Sequence, residues 1–238
     1  MEKSMRQVIL DTETTGLEWK DGHRVIEIGC VELIGRRATT NQYHSFVNPQ
    51  RSSDDGALEV HGISDESLTG KPTFAEIAQD FLGFISGSEL IIHNAEFDIG
   101  FLNNEFSLAG EKFGRIEDHC RVQDTLQLAR KLHPGQRNSL DALCKRYGID
   151  NTHRKLHGAL LDAEILLEVY LAMTGGQTQL LFDDHRNRNY SKESAALLSQ
   201  DVSRPLELEV ILPSADELKL HQDWLNLLGE DALWPDRG

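Results

Sequence analysis

The sequence predicts an α/β fold in which a mixed β-sheet is flanked by helices. Three β-branched or apolar segments come first, at residues 7–10, 25–33 and 43–47, and a turn around Gly35 would pair the last two as a hairpin. Two more short apolar segments follow, and a helical pattern comes after each of them. A hairpin gives antiparallel pairing and strand–helix alternation gives parallel pairing, so the sheet should contain both.

Apolar runs, caps and stop residues mark the later elements. The two short strands are expected at 90–92 and 120–124. A helix that extends to Ile85 begins with a capping box, because Thr73 is followed three residues later by Glu76. Further helices are expected at 97–109, from the end of the second short strand to Lys131, at 139–147, and at 158–173.

Length and composition limit the class of protein. The 238 residues are enough for one domain with an appendage, and a hydrophobic content of 39% is enough for one core. No apolar run reaches about 18 residues, so we expect no membrane span, and the N-terminus does not resemble a signal peptide. Three widely spaced cysteines, Cys30, Cys120 and Cys144, indicate reduced thiols in a cytoplasmic protein, not a disulfide framework or a zinc site.

The net charge of −15 argues against strong unaided binding to nucleic acid. Affinity for a phosphate backbone comes mainly from Lys and Arg, and this chain has 24 of them against 39 Asp and Glu. Any protein of this charge that acts on nucleic acid would need divalent ions at its carboxylates or a partner that holds the substrate nearby.

The composition changes after Gly176. Residues 183–204 are polar and charged, which predicts a flexible linker. Residues 206–212 alternate like a strand, and Ser214 with Glu217 forms a capping box for a helix that extends to Leu228. A lone strand and helix cannot bury their apolar face, so we interpret residues 205–238 as a docking segment for another protein.

Five residues carry the predicted chemistry: Asp11, Glu13, Asp98, His157 and Asp162. Each carboxylate lies at or near the end of an element, and four such groups at one sheet edge would form a site for a hard cation. A histidine beside them can transfer a proton. Together they predict metal-dependent cleavage of a phosphodiester.

Each residue also has an ordinary structural interpretation when it is taken alone. Asp11 and Glu13 could cap a turn, although a spacing of two places both on one side of a strand. Asp98 could simply favour a helix N-terminus. His157 and Asp162 are five apart, about 140° around a helix, so His157 should lie on a loop and Asp162 in the second turn of the helix that follows.

The order of these residues resembles the DEDD exonuclease family in its histidine subclass, over roughly residues 5–175. The matching motifs are Asp11-x-Glu13, His93-Asn94-x-x-Phe97-Asp98 and His157-x-x-x-x-Asp162. The resemblance implies a ribonuclease H-like fold with a five-stranded sheet in residues 1–176. It also implies that the four carboxylates hold two Mg²⁺ or Mn²⁺ ions, about 4 Å apart, and that His157 is the general base.

Secondary site residues follow from the same resemblance. His61, in Val60–Ile63, matches a segment that lines the pocket for the terminal nucleotide, although a lone histidine is as often a turn residue. Thr14 would approach the 3′-terminal sugar beside Asp11, Glu13 and Asp162. Asp124 matches an acid that supports the ligands, and Phe101 is better interpreted as core packing.

The segment after the catalytic domain resembles that of the proofreading exonuclease subunits of bacterial DNA polymerase III. Residues 177–182 look like a sliding-clamp-binding peptide, with anchors at Gln177, Leu180 and Phe182. In that family the C-terminal tail docks on the polymerase alpha subunit, which would involve Trp224 and Trp234 here. A third core subunit is a further possible partner to which no residues can be assigned.

This resemblance implies a 3′→5′ exonuclease that removes mispaired nucleotides from primer 3′ ends. One alternative is a free-standing RNA 3′-end exonuclease similar to ribonuclease T or oligoribonuclease, because these share the five-residue site. Another is a non-catalytic scaffold between polymerase and clamp, although a scaffold has no need for four clustered carboxylates.

Overall fold

The computed structural model describes residues 6–152, 154, 156–175 and 213–228. They fall into two units, residues 1–180 and 181–238, which are described separately. The predicted clamp-binding peptide at 177–182, the linker at 183–204, the strand at 206–212 and Trp234 lie outside the described residues.

The first unit is built on a five-stranded sheet in the order β3-β2-β1-β4-β5. β1 and β2, and β2 and β3, pair antiparallel, whereas β1 and β4, and β4 and β5, pair parallel. The prediction of a mixed five-stranded sheet is therefore confirmed. The strands are β1 Arg6–Thr14, β2 Val25–Ile34, β3 Arg37–Phe46, β4 Glu89–Ile92 and β5 Arg121–Asp124.

The helices cover both faces of this sheet. The ones that the apolar patterns predict are present, with bounds that differ by at most two residues. Three short helices, α1, α2 and α5, were not predicted, because four to seven residues are too few to show a helical period. The helices are α1 Asp55–His61, α2 Asp65–Leu68, α3 Phe74–Ile85, α4 Ala95–Ala109, α5 Ile116–His119, α6 Thr125–Leu132, α7 Leu140–Tyr147 and α8 Ala159–Thr174, with 3₁₀ turns at Trp19–Asp21 and Glu111–Phe113.

Successive side chains of β1 point to opposite faces of the sheet, and each face has its own hydrophobic core. Val8 and Leu10 pack with residues of α3 and α4, and Ile9 packs with residues of α7 and α8. All of these β1 side chains are fully buried. Because β1 is shared, its C-terminal end is the place where groups carried by the two helical layers can meet.

The β2–β3 hairpin turns at Gly35 and Arg36, both of which have positive φ angles of 56° and 63°. A two-residue loop of this kind matches the twist of the strands that it joins. The Arg36 guanidinium then donates to the Leu171 carbonyl, 2.9 Å away, and to Thr174 Oγ1, 2.7 Å away, at the C-terminus of α8. β3 begins at Arg37, six residues before the predicted start at residue 43. Its first residues are polar and mostly exposed, so the sequence shows no apolar alternation there.

The first turn of α8 lies directly on β2 at Gly29. A Cβ at position 29 would overlap backbone atoms of Ala159 and Leu160, so only glycine allows this approach. Glu27, two residues earlier on β2, accepts a hydrogen bond from the Ala159 backbone N–H at 3.1 Å. Strand and helix are therefore joined at the point where α8 begins.

The described part of the second unit is a single helix, α9 Ala215–Leu228. The predicted capping box is present, since the Ser214 N–H donates to Glu217 Oε2 at 2.8 Å and the Glu217 N–H donates to Ser214 Oγ at 3.3 Å. Leu218 and Trp224 are more than half exposed. Across both units, none of the described helices is long and apolar enough to cross a membrane.

The cysteine prediction is confirmed. Cys30, Cys120 and Cys144 are all buried and none forms a disulfide. Burial raises the pKa of each thiol, which keeps all three protonated and unreactive at neutral pH.

Substitution of Gly29 by alanine should destabilise the protein by at least about 2 kcal/mol, because the new methyl group must displace helix backbone and not a mobile side chain. Gly83→Ala is the matched control: Gly83 lies inside α3 with open space around its Cβ position, so this change should be neutral or stabilise by about 0.5–1 kcal/mol. Urea denaturation of both variants measures the difference. Equal stability of the two would contradict the close approach of α8 to β2.

Candidate active site

The candidate site lies at the C-terminal end of β1, where Asp11 and Glu13 point to the face that α8 covers. In the register with β2, Asp11 is opposite Gly29 and Glu13 is opposite Glu27. The register shifts immediately afterwards, between Glu13 and Thr14. The strand thus holds both carboxylates rigidly, directly beside the place where α8 begins.

Asp98 reaches the same end of β1 from the other helical layer. It is buried in the first turn of α4, as predicted, and accepts a hydrogen bond from Thr12 Oγ1 at 2.7 Å. Asn94 precedes the helix in the left-handed conformation, with φ of 66°, which turns the chain sharply from β4 into α4. Thr12 therefore links β1 to Asp98, a role that no motif or spacing in the sequence indicates.

His157 and Asp162 come from the start of α8. His157 lies on the loop before the helix, as predicted, and its side chain is 43% exposed. Asp162 is buried in the first turn of the helix. We expected Asp162 in the second turn of this helix, and that expectation was wrong. The helix begins at Ala159, with Gly158 as its cap, so Asp162 is the fourth helical residue.

The side chains converge as a cation site requires. Glu13, His157 and Asp162 each offer a ligand atom, and these three atoms lie within 4.8 Å of one another. The carboxylates of Asp98, Asp162 and Glu13 all act electrostatically on Asp11. The structure thus brings all five predicted residues to one end of the sheet.

Three of the carboxylates, those of Asp11, Glu13 and Asp98, have raised pKa values in the absence of metal. Burial, followed by the charges of Asp98, Asp162 and Glu13, raises the pKa of Asp11 well above its usual range. Burial and the charge of Asp162 raise the pKa of Glu13 to about 8. Burial raises the pKa of Asp98 to about 7, and the hydrogen bond from Thr12 opposes that rise.

This donor set fits a divalent cation. Four carboxylates provide oxygen ligands, which suit Mg²⁺ and Mn²⁺ better than zinc. Carboxylates whose pKa values are raised by burial, and further by neighbouring negative charges, are groups that a bound divalent cation would stabilise in their charged form.

Arg154 is a functional candidate that was absent from the prediction, because the sequence around it, residues 151–155, indicates only a solvated loop. Its guanidinium contacts both oxygens of Asp162 and also His157. Only 8% of its side chain is exposed. Nothing in the sequence of a polar loop indicates that one of its charged side chains contacts the site.

Glu27 and His44 support the site from β2 and β3. One carboxylate oxygen of Glu27 accepts from the Ala159 N–H, and the other lies 2.7 Å from His44 Nε2. Glu27 is buried although it carries no metal-ligand motif. The available signal was that Glu27 and Glu32 lie inside the apolar run at 25–33, because a buried acid needs a partner.

The secondary residues occupy supporting positions. His61 is buried at the end of α1, where its Nδ1 accepts from the Ile63 N–H at 2.9 Å. Thr14 Oγ1 donates to the Gly16 carbonyl at 2.7 Å. Asp124 caps α6 and acts electrostatically on Asp98. Phe101 is a core residue, as expected.

The raised carboxylate pKa values predict a pH dependence of stability in metal-free protein. A group whose pKa is higher in the folded state binds a proton more tightly there, so its contribution to stability decreases as pH rises through the folded-state value. For Glu13 this window runs from about 4.5 to about 8, and for Asp98 from 3.8 to about 7. The melting temperature in EDTA should therefore fall between pH 5 and pH 8.

The double variant Glu13→Gln/Asp98→Asn is the control for this titration. It lacks both ionisable groups, so its melting temperature should vary much less across the same range. A wild-type melting temperature that rises from pH 5 to pH 8 would reject the assigned pKa values.

The chain matches the family model described as Exonuclease, RNase_T, over residues 8–170. Its curated relatives include proteins named DNA polymerase III subunit epsilon. The one from Escherichia coli K12 is 48% identical over 236 residues, which cover 96% of this chain and 97% of that protein. The one from Haemophilus influenzae is 48% identical over 246 residues, which cover 98% and 95%.

Solved structures agree with this assignment. Exonuclease X, in complex with 5′ overhanging duplex DNA, is 26% identical with a TM-score of 0.55, and the match covers 72% of this chain and 94% of that one. Exonuclease I is 17% identical with a TM-score of 0.61, over 72% and 41%, and shows a shared fold. Exonuclease domains of this family depend on metal. The chain is a 3′→5′ exonuclease and belongs to the DNA polymerase III epsilon-subunit family.

Proposed function

We propose that this protein removes mispaired nucleotides from DNA 3′ ends as the proofreading subunit of a bacterial replicase, by two-metal-ion hydrolysis. The observation that carries the proposal is the convergence of four carboxylates and one histidine at the end of β1. The family assignment supports the choice of a replicative partner.

Asp11, Glu13, Asp98 and Asp162 are the proposed ligands of two Mg²⁺ or Mn²⁺ ions. When bound, such a pair would supply Lewis-acid polarisation of the scissile phosphodiester and activation of the attacking water. The four residues are suited to hold the ions because β1 fixes two of them, and α4 and α8 add one each from opposite layers. Thr12 restrains Asp98, and Glu27 restrains the first turn of α8, so the ligands keep their relative positions.

His157 is the proposed general base, which takes the proton from the attacking water. It lies on a loop, it is partly exposed, and its backbone N–H donates to the Val60 carbonyl at 3.1 Å. This hydrogen bond fixes the backbone of the loop at His157. An imidazole can accept and release a proton, which suits it to this step.

His61 and Thr14 are proposed to contact the terminal nucleotide. The His61 Nδ1 accepts a hydrogen bond, so the proton of the neutral ring is on Nε2, and this buried atom has no partner among the described residues. Burial lowers the pKa of His61, which keeps the ring neutral. An unpaired buried donor costs about 1–3 kcal/mol, which a hydrogen bond to substrate would recover.

The proposed partners are the polymerase alpha subunit and the sliding clamp. Residues 205–238, with Trp224 and Trp234, would dock on the polymerase, and α9 presents an exposed apolar surface consistent with this. Gln177, Leu180 and Phe182 would bind the clamp. A third core subunit remains a proposal without assigned residues. These partners would hold the DNA near an acidic exonuclease. The high local concentration of primer ends would then compensate for the weak affinity of the exonuclease for DNA. The proposed location is the bacterial cytoplasm.

The two alternative functions are less well supported. A free-standing RNA trimmer has no need for a polymerase-docking tail, and the epsilon relatives match 96% and 98% of this chain. A scaffold without activity has no use for a cluster of buried carboxylates, because each costs free energy to bury.

The catalytic proposal predicts that Asp11→Asn and Glu13→Gln each abolish Mg²⁺-dependent hydrolysis of a 3′-mispaired DNA primer. His157→Ala should keep metal binding but lower kcat by about 10²–10⁴-fold, because it removes only proton transfer. Asp80→Asn changes an exposed acid on α3 and is the charge control. Gel assays should use DNA and RNA of one sequence, and faster hydrolysis of the RNA would favour the trimmer.

The partner proposal predicts two independent losses. Gln177→Ala/Phe182→Ala should weaken clamp binding, and deletion of 206–238 should abolish binding to the polymerase subunit. Both changes lie outside the sequence range of the sheet and of the five candidate residues, so hydrolysis of a short single-stranded oligonucleotide should be unchanged in both. Surface plasmon resonance measures binding. Clamp affinity equal to that of the wild type would reject the peptide, and retained polymerase binding would move the docking surface to another part of the chain.

A further inference from the structure

Arg154 places its positive charge directly beside the proposed metal ligands. Its Nε donates to Asp162 Oδ1 at 2.5 Å, and its Nη2 donates to Asp162 Oδ2 at 2.6 Å. This bidentate pairing is the strongest arrangement available to a guanidinium and a carboxylate. Both side chains are almost fully buried, so solvent screens the pair little.

The same guanidinium also engages the proposed base. Nη2 donates to His157 Nδ1 at 2.8 Å. A guanidinium has no acceptor, so the Nδ1 lone pair is used in this bond and the proton of the neutral ring is on Nε2. In this arrangement His157 has no free lone pair with which to take a proton from water.

A third contact extends the network to α7. Nη1 of Arg154 donates to Asp141 Oδ1 at 2.8 Å, and the Asp141 side chain is 64% exposed. Arg154 therefore joins a proposed ligand, the proposed base and a surface acid. Asp141 itself lies outside the ligand set, which makes it a separate point at which to weaken the contact.

We propose that Arg154 is an internal counter-cation that holds Asp162 and His157 in the metal-free enzyme and is displaced when the divalent ion binds. The single positive charge of Arg154 neutralises the Asp162 carboxylate until a divalent ion binds. When the guanidinium is displaced, both the Asp162 carboxylate and the His157 imidazole become free. The proposal rests on the proposed function, because it requires that Asp162 binds metal.

The position of Arg154 on the loop before α8 makes such an exchange possible. The Val60 carbonyl holds the loop at the His157 backbone, three residues after Arg154. Asp162 is fixed separately, by its place in the first turn of α8. The arginine can therefore leave without movement of the helix that carries the ligand.

A different role for Arg154 has the opposite consequence. If the arginine served only to orient Asp162 for the metal, its removal would weaken metal binding. If it competes with the metal, its removal strengthens metal binding and destabilises only the metal-free protein. The sign of the change in affinity therefore separates the two roles.

Mn²⁺ binding to the full chain tests the proposal, by calorimetry and by electron paramagnetic resonance of the free ion. If the paired state is populated to about 90% without metal, Arg154→Ala should lower the apparent Kd for Mn²⁺ about tenfold. Asp141→Asn should lower it by a smaller factor. Arg115→Ala, which breaks an exposed arginine–carboxylate pair with Glu117, is the matched control and should leave the Kd unchanged.

Thermal unfolding provides a second readout that does not depend on activity. In EDTA, Arg154→Ala should melt below the wild type, because Asp162 loses its counter-charge, and saturating Mn²⁺ should close the gap. Arg154→Lys, which keeps the charge but not the bidentate geometry, should lie between them. If Arg154→Ala fails to fold, Arg154→Lys and Asp141→Asn carry the same test.

An unchanged or raised Kd for Mn²⁺ in Arg154→Ala and Asp141→Asn would overturn the displacement. A melting gap of equal size with and without Mn²⁺ would do the same. Wild-type protein that binds no Mn²⁺ would overturn both this inference and the proposed metal site, which distinguishes that outcome from failure of the arginine's role alone.

Discussion

The close contact between the first turn of α8 and β2 determines where the chemistry of this protein can occur. Gly29 admits the helix backbone, and Glu27 accepts the first free N–H of the helix. Because β2 is paired in register with β1, a helix that begins at this point presents Asp162 to Asp11 and Glu13. The loop before α8 then places His157 at the same end of the sheet.

The site stores unfavourable electrostatic energy that the fold has to sustain. Asp11, Glu13 and Asp98 are held where burial and like charges raise their pKa values. The two apolar cores on either side of β1 supply the stability that permits this. Buried carboxylates that repel one another suit a divalent ion, and the same repulsion makes the protein without the ion less stable as the pH rises.

The sequence was sufficient for most of the fold and for the five candidate residues, because apolar periodicity, caps and the order of acids are local features. Thr73 with Glu76 and Ser214 with Glu217 formed the predicted caps. The supporting residues were not predictable in this way. Thr12, Glu27 and Arg154 act through partners far along the chain or through a loop conformation, and no spacing rule encodes those contacts.

The order in which the ligands occur along the chain has a consequence for synthesis of the protein. Asp11 and Glu13 emerge early from the ribosome, but His157 and Asp162 belong to α8 and the loop before it, the last helix that the structure describes in this unit. A growing or truncated chain that ends before α8 has neither the proposed base nor the fourth proposed ligand. With these roles, nuclease activity would begin only when the domain is complete, and partly made enzyme would not cut the cell's DNA.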